Sequence, residues 1–205
     1  MRENRRVAKP LSGGDLRDAS GSWSYTFRMQ HPFLDPSFTP QWTQLSPDHV
    51  VPDMDSALAA ASDQIQDIIN QSGTDPTYQN TFAALESAME SVTRPFGKVM
   101  HLNSVMNSPE LREAIQEVLP RVSGFLASVP LNGELWAVLK KTADALDRGA
   151  MHPAQSRFVD ETLADFREAG ADLSAEEKDE LRGIEMQLAE KTQAFEQLFA
   201  GQCLA

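Results

Sequence analysis

An all-α fold, a bundle of about six helices preceded by an extended arm, is what three features of the sequence predict. Apolar residues recur at spacings of three and four through most of the chain beyond Ser46, which is the period of one helix face. Between these stretches stand Pro, Gly, Ser and Asn, placed where helices start and stop. Nowhere does the chain alternate apolar and polar residues with a period of two, so no sheet is expected.

The organisation divides into four parts. Residues 1–30 mix Arg, Ser, Gly and Asp without a helical stripe and read as a mobile, dispensable leader. Residues 31–46 interleave Pro32, Pro36 and Pro40 with Phe33, Leu34, Phe38 and Trp42, which suits an extended arm pinned to the body by its aromatics. Residues 47–200 form the helical domain, and 201–205 are a tail.

Within the helical domain, Ser46 is a candidate N-cap with Pro47 at the first helical position. Met54, Leu58, Ala61, Ile65, Ile68 and Ile69 share a face before Ser72-Gly73 ends the first helix. A second helix follows Thr77 with Tyr78, Phe82, Leu85, Met89, Val92, Phe96 and Val99 in its stripe, and Pro95 should kink or divide it. The third starts at Ser108-Pro109-Glu110 and buries Leu111, Ile115, Val118, Val122, Phe125 and Val129, with a bend expected at Pro120.

Asn132-Gly133 precedes a fourth helix with Leu135, Leu139, Ala143 and Leu146 aligned, which Arg148 and a Gly149 cap should close. The fifth opens at Pro153, carries Phe158, Thr162, Leu163 and Phe166, and stops at Gly170. Ser174 and Glu177 then have the spacing of a capping box, in which each side chain satisfies the other's terminal amide. The last helix carries Leu181, Ile184, Leu188, Phe195, Leu198 and Phe199. Its stripe is expected to be left exposed for an absent partner to cover.

Composition narrows the function. No window approaches the roughly 18 successive apolar residues that a membrane span needs, and a water-soluble protein is expected. The net charge of −12 conceals an asymmetry: the leader is basic, and residues 31–205 hold a net −15. So acidic a body repels phosphate backbones, which argues against nucleic acid as a partner. Cys203 is the single cysteine, so no internal disulfide and no multi-cysteine zinc site can form. A reducing compartment, the cytoplasm, fits that usage.

Motifs that carry chemistry are missing. A helical zinc peptidase needs H-E-x-x-H, because histidines four apart project together while the glutamate activates the metal-bound water. No His-Glu dipeptide occurs. His31, His49, His101 and His152 lack ligand spacing and read as surface or capping residues. The acids Glu176, Glu177, Asp179 and Glu180 crowd the first turns of the last helix, where its dipole favours them without any acid-base role. No residue is therefore assigned as catalytic, cofactor-binding or metal-ligating.

Particular strings say more than periodicity. The run His101-Leu102-Asn103-Ser104-Val105-Met106-Asn107-Ser108-Pro109-Glu110-Leu111-Arg112 resembles the His-Leu-Asn-x-Val-x-x-Ser-Pro-Glu-Leu-Arg run of the thimet oligopeptidase and oligopeptidase A family of zinc metallopeptidases. His31-Pro32-Phe33-Leu34 is similar to that family's Asn-Pro-Leu-Leu, and Pro47-Asp48-His49-Val50-Val51-Pro52 to its Pro-Glu-His-Val-x-Pro. Thr77 to Thr81 with Leu85-Glu86, Gln155-Ser156-Arg157, Asp165-Phe166, Gly170 to Leu173, Ile184, Leu188-Ala189 and Phe195 follow in the same order. The likeness runs from about residue 31 to 198 and concerns the N-terminal region of the family.

That resemblance implies a helical wall of a deep channel that admits short peptides and excludes folded proteins. In intact members the H-E-x-x-H helix and a third glutamate ligand lie far closer to the C-terminus, and no position here matches them. Zinc is implied for the intact family and no cofactor for this chain, which is expected to be inactive alone. The implied partners are a catalytic half on another chain and short peptides. The tail Phe199 to Ala205 departs from the family pattern and reads as a stop capped by Gly201 or, the favoured alternative, the scar of a truncation. A rival reading is a free-standing helical interaction protein that binds a peptide or a partner helix on its groove face.

Overall fold

A computed structural model describes residues 31–71 and 75–174, and beyond them 176–181, 183, 184, 187, 188, 191 and 192. The expected leader 1–30 and tail 201–205 lie outside the described residues, as do Phe195, Leu198 and Phe199. Every regular element among the described residues is helical, as the stripes predict. No single helix among them is long and apolar enough to cross a membrane.

The spine is α1 (Pro47–Gln71), which packs along α2 (Ala84–Val105) and α3 (Pro109–Ser128) and also touches α4 (Gly133–Ala145). Its buried face is Val50, Met54, Ala57, Ala61, Ile65 and Ile68, at helical spacing. Two core clusters share it. The first four residues join Phe33, Val92, Val99, Leu102, Leu111, Ile115, Val118 and Val122 at one end of the bundle. Ile65 and Ile68 join Phe82, Leu85, Leu135, Leu139 and the buried face of α5 (Pro153–Glu168) at the other. Phe125 touches both clusters, so the core is continuous through α3. Full burial of each large side chain contributes roughly 1.5–3 kcal/mol.

The caps explain where the helices begin. Ser108 Oγ accepts from Leu111 N–H (3.2 Å), with Pro109 in the first helical position where its missing N–H costs nothing. Asn132 Oδ1 accepts from the Glu134 and Leu135 amides, both at 3.0 Å, and opens α4. Ser174 and Glu177 form the expected capping box: Ser174 N–H donates to Glu177 Oε2 (2.8 Å) and Glu177 N–H to Ser174 Oγ (3.2 Å).

Helix α5 ends as expected at Gly170, whose φ of +96° lets Ala171 N–H reach Phe166 O (2.9 Å) and Gly170 N–H reach Arg167 O (3.0 Å). These two bonds are those of a Schellman motif.

The structure refines or corrects four expectations. Pro95 does not divide α2, which runs on through it as α3 runs on through Pro120, since a single missing amide is outweighed by packing along the whole face. The turn before α2, Gln79–Ala83, is π-helical, and Ala83 N–H bonds Tyr78 O at 3.0 Å. Helix α4 stops at Ala145, earlier than Arg148, and Gly149 is not in the left-handed region. Its Arg148 instead leaves the helix to bind Ser156 O (2.9 Å) and Asp160 Oδ1 (2.9 Å) on α5.

The arm is the fourth case. It contains two 3₁₀ turns, Pro32–Leu34 and Trp42–Gln44, and the first packs on both α1 and α2. Phe33 is fully buried, but Phe38 stands wholly in solvent and Trp42 rests half-exposed against the His101 ring at 5.2 Å.

Candidate functional site

Polar residues concentrate where the arm meets the bundle. Asp53 on α1 is completely buried and accepts from Phe33 N–H at Oδ2 (2.8 Å), while His31 Nδ1 lies 2.8 Å from its Oδ1. From α2, Lys98 Nζ donates to Phe33 O (2.8 Å) and Asp35 O (2.7 Å). Asp35 Oδ1 in turn accepts from Ser37 N–H (3.1 Å) and Ser37 Oγ–H (2.8 Å). The backbone of residues 33–35 is thus held on one side by a carboxylate and on the other by an ammonium, each drawn from a different helix.

Burial acts on both ions. It pushes the Asp53 carboxyl above its ordinary range, against the opposing pull of the Phe33 amide, His31 and the more distant His49. It lowers the Lys98 ammonium, with Asp35 pulling the other way. Neither residue was singled out from the sequence. A signal existed, because Asp53 and Lys98 interrupt apolar faces: Asp53 sits between Val50 and Ala57, and Lys98 between Pro95 and Leu102.

The four histidines go to separate tasks. His31 and His49 both approach Asp53, His49 with its Nδ1 2.9 Å from Ser46 Oγ. His101 lies under Trp42, and His152 caps α5 by accepting from Ala154 N–H at 3.2 Å. Among the described residues no group of three or more His, Cys, Asp or Glu side chains is arranged to hold a metal ion. Both oxygens of Asp53 are already committed to the arm, so the His31, His49 and Asp53 set does not fit zinc.

A second polar centre lies on the opposite half. Trp136 Nε1–H donates to Asp172 Oδ1 (2.7 Å), the Trp136 ring stacks on Phe166 at 5.9 Å, and Lys140 and Arg167 sit over it at 5.0 and 5.6 Å. The Trp136 N–H, followed by Lys140 and Arg167, holds the Asp172 carboxyl below its usual range. Deeper, Thr81 and Thr142 bring their hydroxyls within 3.3 Å beside the π turn. An open groove of about 760 Å³ runs along the start of α5, walled by Arg148, Met151, Pro153, Ser156, Arg157 and Asp160.

The strings that carry the family resemblance fall on corners. His101 to Arg112 covers the end of α2, the turn and the first turn of α3; Leu102 and Leu111 enter the core, Ser108 caps, and Asn107 bonds both Asn103 and Arg112. Thr77 and Asn80 bond reciprocally, Thr77 N–H to Asn80 Oδ1 (2.8 Å) and Asn80 N–H to Thr77 Oγ1 (3.2 Å), and Asn80 also ties back to Asp75 O (3.0 Å). Gly170 to Leu173 contains the Schellman turn and the Asp172 partner of Trp136.

A helical bundle whose corners are fixed by side-chain caps and whose N-terminal arm is clamped between two helices defines an all-α domain. The chain belongs to the neurolysin/thimet oligopeptidase family, matching its N-terminal domain over residues 51–178. It is 32% identical over 162 residues to oligopeptidase A of Escherichia coli K12, covering 79% of this chain and 24% of that protein. Oligopeptidase A of Haemophilus influenzae is 29% identical over 170 residues, covering 82% and 24% respectively. An organellar oligopeptidase A of Arabidopsis thaliana, described as chloroplastic/mitochondrial, is 23% identical over 165 residues, covering 80% and 21%. The chain therefore spans less than a quarter of the length of these relatives.

Proposed function

We propose that this chain serves as the non-catalytic helical region of a zinc oligopeptidase, forming part of the wall of a channel for short peptides. The zinc-bearing catalytic half is supplied outside these 205 residues, and the assembly works in the cytoplasm. One observation carries the reading. Thr77, Asn80 and Ser108, in the strings that resemble the family, build caps and corners, while H-E-x-x-H does not occur in the chain. A wall needs rigid corners and no nucleophile, and these residues supply the corners.

The test is reconstitution. The purified chain is expected to bind no stoichiometric zinc and to leave short peptides intact by itself. Mixed with the zinc-bearing region of a family member lacking its own N-terminal domain, it should form a complex and raise peptide cleavage. Zinc held tightly by the chain alone, with chelator-sensitive cleavage that co-purifies, would overturn the proposal. Binding of a peptide or helix without any engagement of the catalytic region would replace it with a free-standing interaction protein.

A further inference from the structure

The arm is attached through a titratable contact that the proposed wall function does not use. We propose that the His31–Asp53 contact is a proton-operated latch, tightening the arm 31–46 on α1 and α2 as the pH falls and loosening it as the pH rises.

Asp53 is buried, with no exposed surface. As a carboxylate it brings a negative charge to the edge of the apolar cluster that contains Phe33, and desolvation makes that charge costly. Its two oxygens are spent on the arm, on Phe33 N–H and on His31 Nδ1. When the arm leaves, the carboxylate regains water. Charge on Asp53 therefore favours the open arm, and a proton taken up by its carboxyl favours the closed one.

The sign follows from linkage. Burial raises the Asp53 carboxyl in the closed state above its value in water, so the closed state binds the proton more tightly. The proton's contribution to closure is fully present below the open-state value and is lost as the pH rises through the raised closed-state value. One coupled proton changes the opening equilibrium by at most about tenfold per pH unit.

From α2, Lys98 contributes a cation whose protons go to the Phe33 and Asp35 carbonyls, and Arg94, which pairs with Glu90. Asp35 on the arm turns its carboxylate to Ser37, and His49 on α1 turns its Nδ1 to Ser46. The ion that α3 brings to α1, Arg121, pairs with Asp55. Among the described residues the hydrogen-bond contacts of the Asp53 carboxylate come from the arm, at Phe33 N–H and His31 Nδ1. Opening would lift Phe33, fully buried at present, out of the core.

Hydrogen exchange on the full chain, analysed as protection factors to remove the intrinsic pH dependence, tests the latch. Peptides from residues 31–46 should gain severalfold protection between about pH 8 and about pH 4, the ordinary carboxyl range, with α5 peptides as the internal reference. In Asp53→Asn, a neutral isostere, the arm should stay protected with no slope against pH. A flat wild-type profile, an arm less protected in acid, or an unchanged slope in Asp53→Asn would overturn the proposal. The wild-type profile decides by itself if the variant fails to fold.

Discussion

The Lys98 ammonium lies 2.8 Å from the Phe33 carbonyl, joining α2 to the arm across 65 residues of sequence, and 2.7 Å from the Asp35 carbonyl. Lys98→Met keeps the buried aliphatic stem and removes the donors. Hydrogen bonds from charged groups contribute about 1.5–3 kcal/mol, so urea denaturation should show a loss of roughly 2–3 kcal/mol. Protease cleavage within residues 31–46 should accelerate in parallel.

Gly170→Ala should be costly for backbone and packing reasons together. A φ of +96° is strained for any residue with a Cβ, and that Cβ would lie 2.9 Å from Leu173 Cδ1 and 3.0 Å from Leu181 Cδ2. We expect about 1–3 kcal/mol of destabilisation, read from the denaturation midpoint. An unchanged midpoint would mean that the turn after α5 can be rebuilt without the glycine.

Trp136→Phe should alter how stability depends on acid. Asp172 is held below its ordinary range in the fold, with the Trp136 N–H as the largest cause. A depressed carboxyl adds stability above its unfolded value and loses it as the pH falls through the folded value. Removing the indole N–H moves Asp172 toward the ordinary range and shrinks that acid-side loss. Carboxyl NMR titration of Asp172, beside denaturation curves at several acidic pH values, checks both statements.

Ile184 and Leu188 stand one turn apart in the last helical stretch with 56% and 62% of their surface in solvent. Side chains so exposed contribute little to folding and much to self-association. The Ile184→Ser, Leu188→Ser double variant should reduce concentration-dependent association in sedimentation and change stability by no more than about 0.5 kcal/mol per site. A loss of several kcal/mol would show that the stripe belongs to the core.

Much of this architecture could be read along the chain because helices are local. The stripes from Met54 to Ile68 and from Leu111 to Val122, the Ser108 cap, the Ser174–Glu177 box and the Gly170 stop each depend on residues within a turn or two of one another. Local chemistry is overridden where distant packing competes. Arg148 leaves α4 for Ser156 and Asp160, and Pro95 stays inside α2 because the Val92, Val99 and Leu102 face is buried on both sides of it. Trp136 and Thr142, outside the expected stripe, are buried because α4 meets more than one neighbour.

By itself, the sequence determined the helical class, most helix starts and the family to which the chain belongs, since periodicity, capping and corner motifs are all written in neighbouring residues. Only the tertiary structure decided that Asp53 and Lys98 grip the same few residues of the arm, that Phe33 enters the core while Phe38 does not, and that Asp172 serves Trp136. These contacts span 20, 65 and 36 residues, and a charge that interrupts an apolar stripe does not name its partner until the chain has folded back upon it.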